Sequence, residues 1–313
     1  MKHIFVINPV AGKGRSAAMI MSSIEQACKR NNAEYEIYLT RAQGDGITYV
    51  RERAKTGEEL RFYACGGDGT LYEIVNGAFG FKNAQVAVIP LGSGNDFIRL
   101  FGTVDEFLVL DDQINGVPVL LDVIKCGDEI AINQCSMGLD AEVCAKQSTF
   151  KKLPLVTGEG AYVASSLYGL CRKVSNNFTV KVDDEEPQTN QYLFCVAANS
   201  RWYGGGFMAA PNAFPDDGLL DFLIVKKSIS RLKLLTLLDD YKAGKHLGWD
   251  FARMVRGKRI TIHSDSPAAV NVDGECHYVT DCTFEIIENG ITFVVPAKSP
   301  YLIDRAARLA TKQ

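Results

Sequence analysis

The sequence predicts an α/β fold with a mainly parallel sheet, followed by a second, β-rich domain. Three observations carry this. Strand, polar loop and helix alternate through the first part of the chain, the signature of a parallel sheet flanked by helices. After about Gly116 the helical patterns become fewer and short strand-like runs take over. At 313 residues the chain is too long for one ordinary core and suits two domains.

The elements follow in order. His3 to Ile7 is a short apolar run stopped by Asn8-Pro9, a buried strand. Ser16 is placed to cap a helix to about Arg30, with Ile20, Ile24, Ala27 and Cys28 on its inner face. Tyr35, Ile37 and Leu39 alternate with polar residues in a second strand that ends at Thr40. Arg61 to Cys65 is a third strand, and Leu71, Ile74, Val75 and Ala78 then recur at helical spacing. Val86 to Ile89 is a fourth strand, ended by Pro90.

Nine runs beyond read as strands: 117–126, 129–134, 178–182, 191–198, 219–225, 259–263, 269–272, 283–287 and 292–295. Helical patterns cover about 160–174 and 230–245. The tail 300–311 is helical again, with Leu302, Ala306 and Leu309 in register.

Bulk properties narrow the function. An apolar content of 47% and a charged content of 23% are those of a globular protein. No apolar run approaches the roughly 18–20 residues that span a bilayer. The start, MKHIFVINPV, lacks the layout of a signal peptide, so the expected location is cytoplasmic. A net charge of −3 argues against a nucleic-acid partner. Nine dispersed cysteines without a C-x-x-C pair read as reduced thiols, and the four histidines show no metal spacing.

Ligands of open parallel sheets bind beyond the carboxyl ends of the strands. Three Gly-rich loops fall there: NPVAGKGR (Asn8 to Arg15), GGDGT (Gly66 to Thr70) and PLGSGNDF (Pro90 to Phe97). Glycines let amide N–H groups approach an anion, and a helix N-terminus adds positive potential. Gly66, Gly67 and Gly69 before the helix from Thr70 therefore read as a phosphate cradle. A carboxylate beside phosphates repels them unless a metal intervenes. Asp68 thus points to Mg²⁺, or to a proton acceptor at the transferred phosphate. Lys13 supplies a compensating charge. AGKG is not a Walker A loop. Asp96 also suits a plain helix cap, and Thr40 a plain strand end.

These residues resemble the diacylglycerol kinase catalytic domain. GGDGTLYEIVNG is similar to its GGDGT-x-x-E-V-x-x-G element. NPVAGKGR is similar to N-P-x-(S/A)-G-x-x, and PLGSGNDF to P-x-G-T-x-N-D-(F/L). In the second half, NSRWYGGGFMAAPNAFPDDGLLD (Asn199 to Asp221) resembles Y-G-G-G…P-x-A…D-G-x-L-(D/E), and VNVDGE (Val270 to Glu275) the D-G-E element. The match runs in order over nearly the whole chain.

The resemblance implies a three-layer α/β domain over 1–120, like those of 6-phosphofructokinases and NAD kinases. It implies a C-terminal β-sandwich over 121–298 and a helix over 299–313 packing back on the first domain. It implies ATP and Mg²⁺ as cofactors, and phosphorylation of the diacylglycerol hydroxyl. Nucleotide contacts fall on the segment from Asn8 through Gly12, Lys13 and Gly14, on Thr40, and on Gly66, Gly67, Asp68, Gly69, Thr70, Leu71 and Tyr72. Ser93, Asn95 and Asp96 complete them. Ser93 replaces the family's usual Thr and keeps the hydroxyl.

A structural Mg²⁺ is implied at Asp217, with carbonyls from Phe214 and Leu219; Asp216 is adjacent, and PDDG is also an ordinary turn. Glu275 matches the family's proton acceptor, a role worth about 10²- to 10⁴-fold. Asp273-Gly274 is also a good hairpin turn, which would make Glu275 an ordinary strand start. Asp68 rivals Glu275 as base. The active site is expected between the domains.

A lipid acceptor requires approach to a membrane surface, through Lys226, Lys227, Arg231 and Lys233 or through Arg253, Arg256, Lys258 and Arg259. Such runs are also ordinary solvated faces. A homodimer is implied by the resemblance alone. The competing readings are a kinase of another lipid (phosphatidylglycerol or a sphingoid base), an NAD kinase, and a non-catalytic nucleotide or lipid sensor.

Overall fold

The computed structural model describes residues 1–11, 16–150 and 177–310. Two compact units divide the chain: Met1–Leu121 with Asn289–Gln313, and Asp122–Glu288.

The first unit is built on β1 (Lys2–Ile7), α1 (Ser16–Arg30), β2 (Tyr35–Leu39), α2 (Asp45–Ala54), β3 (Leu60–Gly66), α3 (Asp68–Ala78) and β4 (Ala84–Pro90). The short helices α4 (Val104–Phe107) and α5 (Leu110–Ile114) follow. The strands are parallel, in the order β4-β3-β1-β2. Central β3 is buried along its whole length, while edge strand β2 leaves Tyr35 and Leu39 exposed. Side chains alternate across the sheet. Phe5, Ile7, Tyr63, Cys65 and Ile89 pack with Ile24, Ala27 and Cys28 of α1 and with Leu110 and Ile114 of α5. On α3, Leu71, Ile74, Val75 and Ala78 are buried, and the helix packs on β3 and β4. Helices thus cover both faces. Buried Arg61 closes the carboxyl end of α5, donating to the carbonyls of Gln113 and Ile114 at 3.1 and 2.8 Å.

Helix α2 was not legible in the sequence. Only Gly46, Val50 and Ala54 of its ten residues are buried, too few to show a stripe. It packs on α3 at Gly77, where a Cβ would lie 2.8 Å from the Ile47 carbonyl.

The second unit is antiparallel. It contains β5 (Val117–Cys126, which begins in the first unit), β6 (Glu129–Ala131), β7 (Gln134–Gly138), α6 (Leu139–Phe150), β8 (Asn177–Val182) and β9 (Gln188–Ala198). Then come β10 (Trp202–Tyr203), β11 (Phe207–Met208), β12 (Leu220–Lys226), α7 (Arg231–Thr236) and α8 (Leu238–Lys242). Three strands close it: β13 (Ala252–Gly257), β14 (Arg259–Val272) and β15 (Glu275–Val295). Strands β9 and β14 each change partner along their length, from β8 to β7. Such switching lets one set of strands form more than one layer.

Several expected boundaries move. The run 129–134 splits between β6 and β7. The runs 259–263 and 269–272 are one strand with an irregularity between His263 and Ala268. The runs 283–287 and 292–295 are both parts of β15. Thr292 and Phe293 pair in parallel with Gln85 and Val86 of β4, so residues 289–298 belong to the first unit, not to the β-rich one. The pattern over 230–245 breaks into α7 and α8, and the pattern over 160–174 lies outside the described residues.

The tail forms α9 (Pro300–Ala310), within the first unit. Its Tyr301 is buried against the Phe101 ring at 4.5 Å. The inward face runs through Tyr301, Leu302, Arg305 and Arg308; of the expected Leu302, Ala306 and Leu309, Leu302 lies on it and the other two are exposed. Arg308 covers the Tyr301 ring, a contact that apolar periodicity does not register.

Candidate functional site

The three glycine-rich loops of the first unit start at the carboxyl ends of β1, β3 and β4. Asn8 leaves β1 with its N–H on the Cys65 carbonyl at 3.1 Å, and its Oδ1 accepts from the Val10 N–H at 3.1 Å. Its amide nitrogen reaches the Thr70 hydroxyl at 3.5 Å. Thr40, leaving β2, donates its N–H to the Ile7 carbonyl at 3.0 Å. Asn8, Thr40 and Thr70 therefore share one sheet edge. Gly12, Lys13 and Gly14 lie outside the described residues.

The second and third loops touch through bare backbone. A Cβ on Gly92 would stand 2.4 Å from the Gly67 Cα, and one on Gly66 would stand 2.1 Å from the Thr70 hydroxyl oxygen. No side chain fits at these positions without displacing a neighbour. Gly69 is different: a Cβ there meets nothing within 4 Å. It is exposed at the first turn of α3, where the helix dipole favours an anion. Leu71 and Tyr72 are buried, and the Leu71 N–H is bonded to the Gly67 carbonyl at 3.1 Å. Ser93 is exposed at the tip of the third loop.

Asp68 joins these two loops. Its Oδ2 accepts the Asn95 N–H and its Oδ1 the Asp96 N–H, both at 2.9 Å. Burial, then the nearby Asp96 charge, push the Asp68 carboxyl above the usual range, against the pull of those amides. Asn95 takes a φ of 50° and ties its side chain to the Gly92 carbonyl at 2.8 Å. Asp96 is buried and precedes the short helix Phe97–Leu100, yet its side chain makes no capping bond. It pairs instead with Arg99 at 3.1 Å.

Glu73, quoted within the GGDGT element but given no role there, grips a fourth segment. Its two oxygens accept the N–H groups of Gly44 and Gly46 at 2.8 and 2.9 Å. The signal was a second acidic residue within a largely buried helix, with Asp68 already in its first turn.

In the second unit the D-G-E element is the turn between β14 and β15. Val272 faces Glu275 across it, with φ of 48° at Asp273 and 104° at Gly274. This is a two-residue hairpin turn. The Asp273 carboxylate accepts from the backbone N–H of Ile132, Asn133 and Gln134, the shortest at 2.6 Å. Asn271 Oδ1 accepts the Gly274 N–H at 2.7 Å. Glu275 therefore sits, half-buried, at a turn fixed from both sides.

Asp217 lies in the loop before β12. Its Oδ1 accepts the Leu219 N–H at 3.1 Å, and its Oδ2 accepts from Arg256, which also reaches buried Asp221. Phe214 lies under the Arg201 guanidinium at 4.3 Å. Nearby Asp122, buried and unremarked in the sequence, accepts the Gly218 N–H at 2.9 Å. Among the described residues no three His, Cys, Asp or Glu side chains converge as a metal site. Both Asp217 oxygens already have donors, so the loop does not fit a divalent cation unless Arg256 leaves.

The two basic clusters differ. Arg253 pairs with Glu185, Arg256 with Asp217, Lys258 with Glu288 and Arg259 with Glu285. Lys226, Lys227 and Lys233 are exposed and show no ion pair among the described residues. No helix of the described residues is long and apolar enough to cross a membrane.

Comparison with known proteins agrees with this architecture. Residues 2–126 match the family model of the diacylglycerol kinase catalytic domain, and residues 133–295 that of the YegS C-terminal NAD kinase beta sandwich-like domain. The chain is 30% identical over 265 residues to a "Probable lipid kinase YegS-like" of Chromohalobacter salexigens, covering 83% of each chain. A protein of the same description from Shewanella frigidimarina is 30% identical over 245 residues, covering 76% of this chain and 77% of its own. The crystal structure of a "putative diacylglycerol kinase" from Bacillus anthracis superposes with a TM-score of 0.73 at 25% identity, covering 94% of this chain and 95% of that one. The chain belongs to the diacylglycerol kinase/YegS family of lipid kinases, whose phosphate donor is ATP.

Proposed function

We propose that this lipid kinase phosphorylates the hydroxyl of diacylglycerol, giving phosphatidic acid, with ATP and Mg²⁺. One observation carries the nucleotide half of the reading. Three bare-backbone loops leave neighbouring strands at one edge, two of them locked by Asp68, with Gly69 open at the N-terminus of α3. Phosphoryl transfer needs positioning and charge neutralisation more than covalent help. Mg²⁺ carried on the nucleotide supplies part of that neutralisation.

In this reading Lys13 and the loop amides hold the phosphates, and Asp68 holds the loops. The lipid hydroxyl oxygen bonds to the γ-phosphorus as the bond to the β-phosphate oxygen breaks and ADP leaves. Glu275 takes the hydroxyl proton. The lipid is met at a membrane surface, where Lys226, Lys227 and Lys233 supply positive charge.

The test is radiolabelled phosphate transfer from ATP–Mg²⁺ into an acceptor panel in mixed micelles: diacylglycerol, phosphatidylglycerol, sphingosine, ceramide and, as soluble control, NAD. Labelling of diacylglycerol, lost by about 10² or more in Glu275→Gln, supports the reading. Labelling of another lipid alone replaces the acceptor. Labelling of NAD alone, or no labelling with ATP still bound, overturns it.

A further inference from the structure

Two cysteines stand beside the D-G-E turn. Cys144 is on α6, and Cys276 follows Glu275 on β15. Their thiols converge on the same two acceptors. Cys144 donates to Asn271 Oδ1 at 3.6 Å and to the Gly274 carbonyl at 3.8 Å. Cys276 reaches the same atoms at 3.9 and 3.8 Å. Both thiols therefore share one pair of acceptors at the turn.

Exposure separates this pair from the other described cysteines. Cys28, Cys65, Cys126, Cys135, Cys195 and Cys282 are buried, whereas Cys144 and Cys276 are half-exposed. Buried thiols are inert packing groups, and reagents reach accessible ones.

We propose that Cys144 and Cys276 form a redox pair, closed by a peroxide to a reversible disulfide that distorts the turn bearing Glu275. The first step is attack of the Cys144 sulfur on one peroxide oxygen. The O–O bond breaks, a sulfenic acid forms and one water leaves. The Cys276 sulfur then attacks the sulfenic sulfur, its proton goes to the departing hydroxyl, and a second water leaves as the S–S bond forms. Two thiols and one peroxide give one disulfide and two waters. Cys276 is placed for the second, resolving step because its thiol shares both acceptors with Cys144.

Geometry supplies the consequence. An S–S bond of about 2.05 Å is far shorter than any non-bonded contact between two sulfurs. Closure therefore draws β15 toward α6 at the residue next to Glu275. It also removes both thiol donors from Asn271 Oδ1, the atom that holds the Gly274 N–H. That closure lowers phosphate transfer rests on the assignment of Glu275 proposed above; formation of the disulfide does not.

The test treats the reduced full chain with stoichiometric hydrogen peroxide, blocks the remaining thiols, and maps cross-linked peptides by mass spectrometry. Phosphate transfer to diacylglycerol is measured before oxidation, after it, and after dithiothreitol, with Cys144→Ser, Cys276→Ser and Glu275→Gln in parallel. The expected result is a Cys144–Cys276 cross-link and a loss of transfer of at least about tenfold, the scale of a sub-ångström to ångström misplacement of a reacting group. Dithiothreitol restores transfer, and both serine variants ignore peroxide. If both thiols remain free, or end as sulfinic acids, the pair is refuted. If the cross-link forms, wild-type transfer is unchanged and Glu275→Gln is inactive, the switch fails while the kinase reading stands. If Glu275→Gln is as active as wild type, the role of Glu275 fails, and the mapped cross-link still decides the pair.

Discussion

Asp68 and Asp96 carry like charges, yet the Asp96 N–H donates to Asp68 Oδ1 at 2.9 Å and holds the two residues together. With the Asn95 N–H on Oδ2, both oxygens of Asp68 are spent on the third loop. Asp68→Asn presents an amide N–H₂ to one of those donors. An unsatisfied buried group costs about 1–3 kcal/mol, so the variant unfolds at lower urea concentration. Its KM for ATP rises with it. An unchanged urea midpoint would leave Asp68 a chemical role without a structural one.

Glycine substitutions separate structure from ligand contact. Gly92→Ala puts a Cβ 2.4 Å from the Gly67 backbone, and overpacking of this kind costs about 1–3 kcal/mol. Gly69→Ala meets nothing within 4 Å. It keeps the wild-type melting temperature and, if a phosphate rests on this turn, raises KM for ATP about tenfold, the scale of one hydrogen bond to a charged group. Melting curves beside ATP titrations distinguish the two.

The grip of Glu73 on the start of α2 is testable by a double-mutant cycle. A Cβ on Gly46 would lie 2.6 Å from Glu73 Oε2, so Gly46→Ala and Glu73→Gln break the same contact. Their effects on urea stability fall short of additive by about 0.5–3 kcal/mol. Additive losses would show that the two positions act separately.

How far such relationships can be read ahead depends on what the partner is. Strands β1, β3 and β4 were legible because each is a short apolar run with a punctuating loop, and α3 because its apolar residues recur at helical spacing. The glycine loops were legible as bare backbone. The clasp was not: Asp68 bonds to amides 27 residues further on, and a backbone N–H has no signature in sequence. Glu73 reaches back 29 residues to Gly44 for the same reason. The runs 259–263 and 269–272 were read as separate strands, as were 283–287 and 292–295, but β14 carries the first gap as an irregular stretch and β15 continues through the second, with Asn289 at a φ of 53°. Arg256 looked like part of a basic surface because its carboxylate partners come from a different strand and loop.

That pairing makes a prediction about metal. Arg256→Met leaves Asp217 and buried Asp221 without their cation, at a cost of about 1–3 kcal/mol. Millimolar Mg²⁺ then raises the melting temperature of the variant, measured without nucleotide, and leaves the wild type unmoved. A wild-type shift abolished by Asp217→Ala would show that a cation displaces Arg256.

His3 gives the fold a pH dependence of known sign. Burial, aided by Arg61, lowers its pKa from 6.5 to about 4, and its ring bonds to the Tyr63 hydroxyl at 2.7 Å. The unfolded chain therefore binds a proton before the fold does. Stability from this group is complete above pH 6.5 and is lost as pH falls toward 4, on the order of 3 kcal/mol. Asp68, Asp140 and Asp221, whose carboxyls burial raises, work in the opposite direction. Comparing His3→Gln with wild type isolates the histidine: the variant loses less stability between pH 7 and 4.5. Equal losses would refute the assignment.

Strand β15 starts with Glu275 and ends alongside β4, so the first unit is split in sequence by the whole of residues 122–288. During synthesis on the ribosome, β1 to β4 emerge early but lack the strand that covers the edge of β4 and the ring of Phe293, which packs on Phe97 and Phe101. Domains that are continuous in sequence fold as they emerge. Here the first part to be made must wait for the second, and a nascent chain truncated at residue 288 exposes an open strand edge of the kind that chaperones and aggregates both capture.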